Sequence, residues 1–342
     1  MDWAVVIAGG SGSRFWPLSS PTRPKQLLPL GGSRTTAQET LDRLQGLIPP
    51  SRTLVVTNPR LAPMMIEHLH LDPANVLIEP RSASTGPALV WATAEALRRD
   101  PSAAVLALHA DWAVGDQAAF AKTAEIALFA ARNHDRLVTV GIVPSRPETG
   151  YGYIIPGTPL DREARTVDRF TEKPDAALAL DLMEQGALWN SGLFAWTAQR
   201  LLAEVGAHTP EIAPHLIHLA EGDVAAFFEA VSSVSIDVGV LERSQAVAVV
   251  TGNFDWDDIG TWEALARVRP RDSEGNVVVG PVTVFESSDC IVWSDGTPIV
   301  LSGMHDVIVV AANGRVMVLN RSDAADLKRT LQALSPEVRD VP

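Results

Sequence analysis

The sequence predicts an α/β protein: a Rossmann-like, doubly wound and mainly parallel sheet, followed by a small β-domain. Three observations predict it. Short runs of Val, Ile, Leu and Ala alternate with segments of helical spacing through most of the chain. Those runs are nearly continuous in apolar residues, the pattern of strands buried on both faces. Near residue 270 the rhythm changes to very short strands separated by turns.

The predicted strands are AVVIAG (4–9), TLVVTN (53–58), NVLIEP (75–80), AAVLALHAD (103–111) and RLVTVGIV (136–143). Between them, residues 35–48 carry Leu41, Leu44 and Leu47 at core spacing behind a threonine cap. Residues 86–99 open with a proline in the first turn and close on two arginines, as the helix dipole prefers. Residues 117–134 form the longest helical segment. Strand–helix alternation of this kind builds parallel sheets. After RVRPRDSEGN the units VVVG, VTVFESSD, CIVWSDG, TPIVLSG, DVIVVAANG and RVMVLN repeat, and a helix over 323–334 follows. Residues 1–270 are therefore expected to form one domain and 271–342 a second. The repeats fit either a β-solenoid (a β-helix) or a small sandwich.

The 342 residues carry a formal charge of −13, which disfavours nucleic-acid and anionic-membrane partners. No apolar segment approaches the roughly 20 residues that cross a bilayer. The start of the chain lacks a basic and then apolar leader, so no signal peptide is expected. The single cysteine, Cys290, lies in strand-like sequence and is expected to be a small core residue. Cysteine scarcity fits a cytoplasmic location. The histidine pairs at 68/70 and 215/218 lack the i, i+4 spacing of a helical zinc site. No basic patch interleaves with aromatics.

An acidic protein that binds phosphates needs a locally cationic pocket. The stretch after the first strand, AGGSGSRFWPLSSPTRPKQLLPL (8–30), supplies glycines, then Arg14 and Lys25. Glycines let backbone N–H groups approach a phosphate. Pro17, Pro21 and Pro24 stiffen a loop that brings a lysine back to the ligand. The spacing is neither G-x-G-x-x-G nor the P-loop, which disfavours a dinucleotide-dependent oxidoreductase.

The same stretch resembles the signature loop of the sugar-1-phosphate nucleotidyltransferases. Its RFWPLS and PKQ resemble the mannose-1-phosphate guanylyltransferases, also called GDP-mannose pyrophosphorylases. EPRSASTGPAL (79–89), HADW (109–112), ETGYGYI (148–154), FTEKPD (170–175), WNSGLFAW (189–196), SVSIDVGVLE (233–242) and FDWDDIGTWEAL (254–265) follow in family order. The resemblance implies transfer of GMP from GTP to α-D-mannose 1-phosphate with Mg²⁺, giving GDP-mannose and pyrophosphate. It implies nucleotide contacts from Ala8, Gly9, Gly10, Ser11, Gly12, Ser13, Arg14, Lys25, Glu79, Thr85 and Pro87. It assigns the sugar phosphate to Gly150, Tyr151, Glu172, Lys173 and Asn190, and the metal to Asp111 and Asp258. Arg14, Lys25, Asp111 and Lys173 are the implied catalytic residues.

The chemistry agrees with such an assignment. The attacking phosphate already carries about −1.5 to −2 charge, so no general base is required. What is needed is to align two polyanions and stabilise the departing charge. Asp111 ends a strand, where open α/β sheets place ligands. Glu172 and Lys173 on a strand face opposite ways, one to hydroxyls and one to phosphate. The amide of Asn190 can donate and accept. Tyr151 suits the site or packing equally. Asp257 competes with Asp258 for the metal.

Departures exist. The family's Arg-Asn before T-A-P-A is Ala83-Ser84 here, with Arg81 a candidate substitute, and His109 and Trp112 flank Asp111. The chain stops before the isomerase domain of the family's long form, so isomerase activity is not expected. A homodimer is expected. The rival readings are a thymidylyl- or uridylyltransferase acting on glucose 1-phosphate, and a non-catalytic regulatory homologue that binds nucleotide sugars.

Overall fold

The computed structural model describes residues 1–10 and 13–339. Its chain divides into two units that interleave in sequence. One contains Met1–Gly9, Thr40–Ala110 and Val114–Trp256; the other contains Gly10–Glu39, Asp111–Ala113 and Asp257–Pro342. A single cut near residue 270 does not reproduce this division, because Gly10–Glu39 clusters with the C-terminal residues.

The first unit is built on nine strands: β1 (Asp2–Ile7), β2 (Thr53–Thr57), β3 (Val76–Ile78), β4 (Ala104–His109), β5 (Leu137–Ile142), β6 (Gly152–Pro159), β7 (Ala164–Glu172), β8 (Leu188–Thr197) and β9 (Val247–Gly252). Their order in the sheet is β3-β2-β1-β4-β8-β5-β9-β7-β6, with a further β6–β8 pairing. The half from β3 to β4 is parallel, as the sequence predicts. The other half corrects the expectation of a mainly parallel sheet. β8 runs antiparallel to both β4 and β5, and β7 is antiparallel to β9 and β6. Only β5 and β9 pair in parallel there. Apolar composition marks a strand as buried but does not fix its direction, so the alternation of runs and helices does not by itself imply parallel pairing.

Helix α1 (Thr85–Arg99) and helix α2 (Gln117–Asn133) fill the expected segments. The side chain of Asp116 accepts from Ala119 N–H at 2.9 Å and caps α2. Arg98 and Arg99 end α1 and both bond Glu95. On the face that α1 covers, Trp196, Phe194, Phe227, Phe228 and Trp91 form the centre of the core. Trp196 satisfies its one polar atom by donating to Thr93 Oγ1 at 3.2 Å, so its full burial costs little.

In the second unit, β10 (Val277–Val279), β12 (Ile291–Ser294) and β14 (Val307–Ala312) pair in parallel, as do β11 (Val282–Phe285) and β13 (Ile299–Ser302). β15 (Arg315–Asn320) closes the first set antiparallel to β14. Cys290 is wholly buried here, as expected of a core residue. The main core of this unit also takes in Phe15, Leu18, Leu28 and Leu30, which pack with Trp262, Trp293, Ile308, Val310 and Leu327. The loop that carries Arg14 and Lys25 is thus anchored on the C-terminal strands by its own hydrophobic residues. No helix among the described residues is long and apolar enough to cross a membrane.

Candidate functional site

The second unit holds the lysine, the arginine and both candidate metal carboxylates. Pro24 leads a single 3₁₀ turn, Lys25–Leu27. Lys25 is buried, at 7% exposure. Its ammonium donates to Asp111 Oδ2 at 2.8 Å and to the carbonyl of Asp258 at 2.6 Å. A buried ammonium without acceptors would be costly. Here two of its three N–H groups are directed at the two residues that the resemblance assigns to metal. Asp258 Oδ1 also accepts from Gly260 N–H at 3.1 Å, which shapes the turn.

The neighbouring Asp257 is committed elsewhere. Its Oδ2 accepts from Arg267 Nε at 2.7 Å and its Oδ1 from Ile259 N–H at 2.8 Å. Lys25 holds Asp111 by its carboxylate and Asp258 by its backbone carbonyl, and the two side-chain carboxylates are hard oxygen donors of the kind a divalent cation such as Mg²⁺ accepts, with phosphate and water completing the shell. No group of three or more His, Cys, Asp or Glu suited to a metal occurs among the described residues.

Arg14 is exposed in the short turn Ser13–Phe15. Phe15 beneath it is buried edge-on against Trp262, with ring centres 5.1 Å apart. Gly10 is exposed, and its carbonyl accepts from Gln26 Nε2 at 3.0 Å. Ser11, Gly12 and the side chain of Ser13 lie outside the described residues.

The first unit holds the remaining residues in two groups. In the first group, Ala8 donates its N–H to Val56 and accepts from Thr57 Oγ1, so both backbone groups are spent inside the sheet. Gly9 is followed in space by Glu79: a Cβ on Gly9 would stand 3.6 Å from Glu79 Oε2. Glu79 is 8% exposed, and burial pushes its carboxyl up to about 7. Thr85 Oγ1 accepts from Ile236 N–H at 3.0 Å, and Pro87 is buried in the first turn of α1. Arg81, the candidate substitute for the family's arginine, donates from Nη2 to the Val231 carbonyl at 2.5 Å. Ala83 is wholly buried in the core.

The second group gathers Gly150, Tyr151, Glu172, Lys173 and Asn190, the residues that the resemblance assigns to the sugar phosphate. β7 ends at Glu172, and Lys173 adopts a left-handed backbone with φ 48°. That breaks the strand alternation. The expectation that Glu172 and Lys173 face opposite ways is therefore corrected: Lys173 Nζ pairs directly with Glu172 Oε1. Gly152 lies beside them; a Cβ there would stand 2.7 Å from Glu172 Oε2, so the Glu172 side chain would have to move. Tyr151 is buried edge-on against Trp189 at 5.2 Å and packs in the same way against Trp256. Its ring is packing, and its carbonyl accepts from Lys173 N–H at 3.2 Å. Gly150 is exposed, and its N–H donates to Glu148 Oε1 at 3.3 Å.

Four residues that the sequence did not single out join this group. Asn190 bonds Thr139 and Asp237, Glu242 Oε1 accepts from Glu172 N–H at 3.0 Å, and Arg146 lies over the Trp189 ring at 4.9 Å. Asp237 starts a π-helical turn, Asp237–Leu241, a rare form often found at functional sites. Its segment, SVSIDVGVLE, is one of the motifs in family order, but a π turn leaves no mark in residue spacing.

A family model described as nucleotidyl transferase matches residues 3–275. The mannose-1-phosphate guanylyltransferase of Escherichia coli is 34% identical over 98% of this chain and 74% of its own length. The alginate biosynthesis protein AlgA of Pseudomonas aeruginosa is also 34% identical, over 98% of this chain and 72% of its own. A crystal structure from Thermus thermophilus, named mannose-1-phosphate geranyltransferase, superposes with a TM-score of 0.91 at 34% identity, covering 97% of this chain and 98% of that one.

Proposed function

Because the chain belongs to the nucleotidyl transferase family, and within it to the mannose-1-phosphate guanylyltransferases, we propose that it transfers GMP from GTP to α-D-mannose 1-phosphate. It is a nucleotidyltransferase. A phosphate oxygen of the sugar phosphate attacks the α-phosphorus of GTP, the α–β P–O bond breaks, and the electron pair leaves on pyrophosphate. No side chain has to remove a proton from the attacking group.

The observation that carries this reading is the buried Lys25 ammonium held between Asp111 and the Asp258 turn. It supplies a fixed positive charge where polyanions react. Arg14, with its planar fork, is the second cation. Asp111 and Asp258 would hold Mg²⁺, which when bound neutralises phosphate charge. On the base side, the carboxylate of Glu79 offers two acceptors to the two adjacent N–H donors on the edge of guanine. Glu172 takes sugar hydroxyls, Lys173 the sugar phosphate, and Asn190 a further hydroxyl.

The parallel pairs β10–β12–β14 and β11–β13 support a β-helix as the form of the C-terminal strands. Its function in this reading is to anchor the loop of Arg14 and Lys25. The scarcity of cysteine supports a cytoplasmic setting.

The test is pyrophosphate release from four nucleoside triphosphates against mannose 1-phosphate and glucose 1-phosphate, with and without EDTA. GTP with mannose 1-phosphate gives the highest turnover, and EDTA abolishes it. A preference for dTTP or UTP with glucose 1-phosphate would replace the assignment by the corresponding thymidylyl- or uridylyltransferase.

A further inference from the structure

The hydrogen bonds around Asn190 fix the direction of its amide. A carboxylate can only accept and a backbone N–H can only donate. Asn190 Nδ2 therefore faces Asp237 Oδ1, at 2.7 Å, and Asn190 Oδ1 faces Gly192 N–H, at 3.3 Å. Thr139 Oγ1 donates to the same Oδ1 at 2.8 Å. Both lone pairs of that oxygen are used, and one N–H remains on Nδ2. The sequence allowed Asn190 to donate and accept; the structure leaves it a donor only.

Beside this donor stands the carboxylate of Asp237, which can only accept. Both residues keep part of their surface open. The turn that carries Asp237 is set in place from α1: Thr85 Oγ1 takes Ile236 N–H, and Gly86 N–H reaches the Val234 carbonyl at 3.0 Å.

We propose that Asp237 is a specificity-determining residue for the sugar, accepting a hydrogen bond from one ring hydroxyl while Asn190 donates to its neighbour. The two groups form a reader of a vicinal diol with one fixed polarity, oriented by Thr139 and Gly192. This rests on the reading of the first-unit group as the sugar-phosphate site. Burial and the charge of Glu172 push the Asp237 carboxyl up to about 6, with its own backbone N–H, Lys173 and the Asn190 amide opposing. Glu242, one residue beyond the turn, is taken up by the N–H of Glu172.

The experiment compares Asp237→Ala, Asp237→Asn, Asn190→Ala and Glu172→Gln in steady-state kinetics with GTP. Acceptors are mannose 1-phosphate and its 2-, 3- and 4-deoxy analogues. A hydrogen bond to a charged group is worth about 1.5–3 kcal/mol, so Asp237→Ala raises KM for mannose 1-phosphate roughly 10- to 100-fold. KM for GTP changes by less than about twofold. The penalty falls to about twofold for the one analogue that lacks the hydroxyl Asp237 accepts from. If Asp237→Ala does not fold, Asp237→Asn, which keeps an oxygen acceptor without the charge, carries the same test with a smaller loss. An equal penalty on every analogue, or equal rises in both KM values, overturns the proposal. If Asn190→Ala and Glu172→Gln raise KM for the sugar and the Asp237 variants do not, Asp237 alone is wrong. If none of them does, the reading of the sugar site falls with it.

Discussion

Glu79→Gln separates stability from base recognition. Burial raises the carboxyl from 4.5 to about 7 in the folded protein. At 1.36 kcal/mol per unit of pKa, keeping Glu79 ionised costs the fold about 3 kcal/mol. The pH window follows from linkage. Below pH 4.5 the group is protonated in both states and costs nothing. Between 4.5 and 7 the unfolded chain releases the proton while the folded chain holds it, so stability falls as pH rises. Above 7 the whole cost is present. Glutamine removes it, giving a gain of about 1 kcal/mol at pH 5.5 and about 3 kcal/mol at pH 8.5. Thermal unfolding without ligand reads this as a rise in Tm of a few degrees at pH 8.5 and a much smaller one at pH 5.5. The same variant loses part of the stabilisation given by GTP, because glutamine offers guanine one acceptor where the carboxylate offers two. An equal Tm change at both pH values would refute the burial argument. An undiminished response to GTP would refute the role of Glu79 in base recognition.

The other predictions follow from single contacts. Lys25→Ala removes the ammonium from Asp111 and from the Asp258 carbonyl and lowers kcat/KM about 100- to 1000-fold, with circular dichroism unchanged. Gly86→Ala sets a Cβ 2.5 Å from the Val234 carbonyl and destabilises the protein by about 1–3 kcal/mol in denaturant titration, with a rise in KM for the sugar phosphate as the Asp237 turn shifts. Deleting residues 271–342 strips Phe15, Leu18, Leu28 and Leu30 of Trp293, Ile308, Val310 and Leu327. The truncated protein is inactive and aggregates, as gel filtration and the pyrophosphate assay report; a soluble and active fragment would contradict the anchoring role.

The order of residues was enough to read the strand–helix rhythm of the first half, the charged end of its helix over 86–99, and a loop that combines glycines with two cations. Each of these is written locally: apolar runs, the arginine pair at the end of residues 86–99, and glycines, Arg14 and Lys25 within one loop. Whatever depends on partners distant in the chain was settled by the folded arrangement. Strand direction was one such matter, because an apolar run buries equally well in either orientation, as β8 does between β4 and β5. The left-handed turn at Lys173 was another; it put two charges expected on opposite faces into one pair. Asp237 was the third. It accepts from Asn190, 47 residues away, and Thr139, on a different strand from Asn190, bonds the same amide. A hydrogen-bonding group has a role only once its partners are set, and the fold sets them.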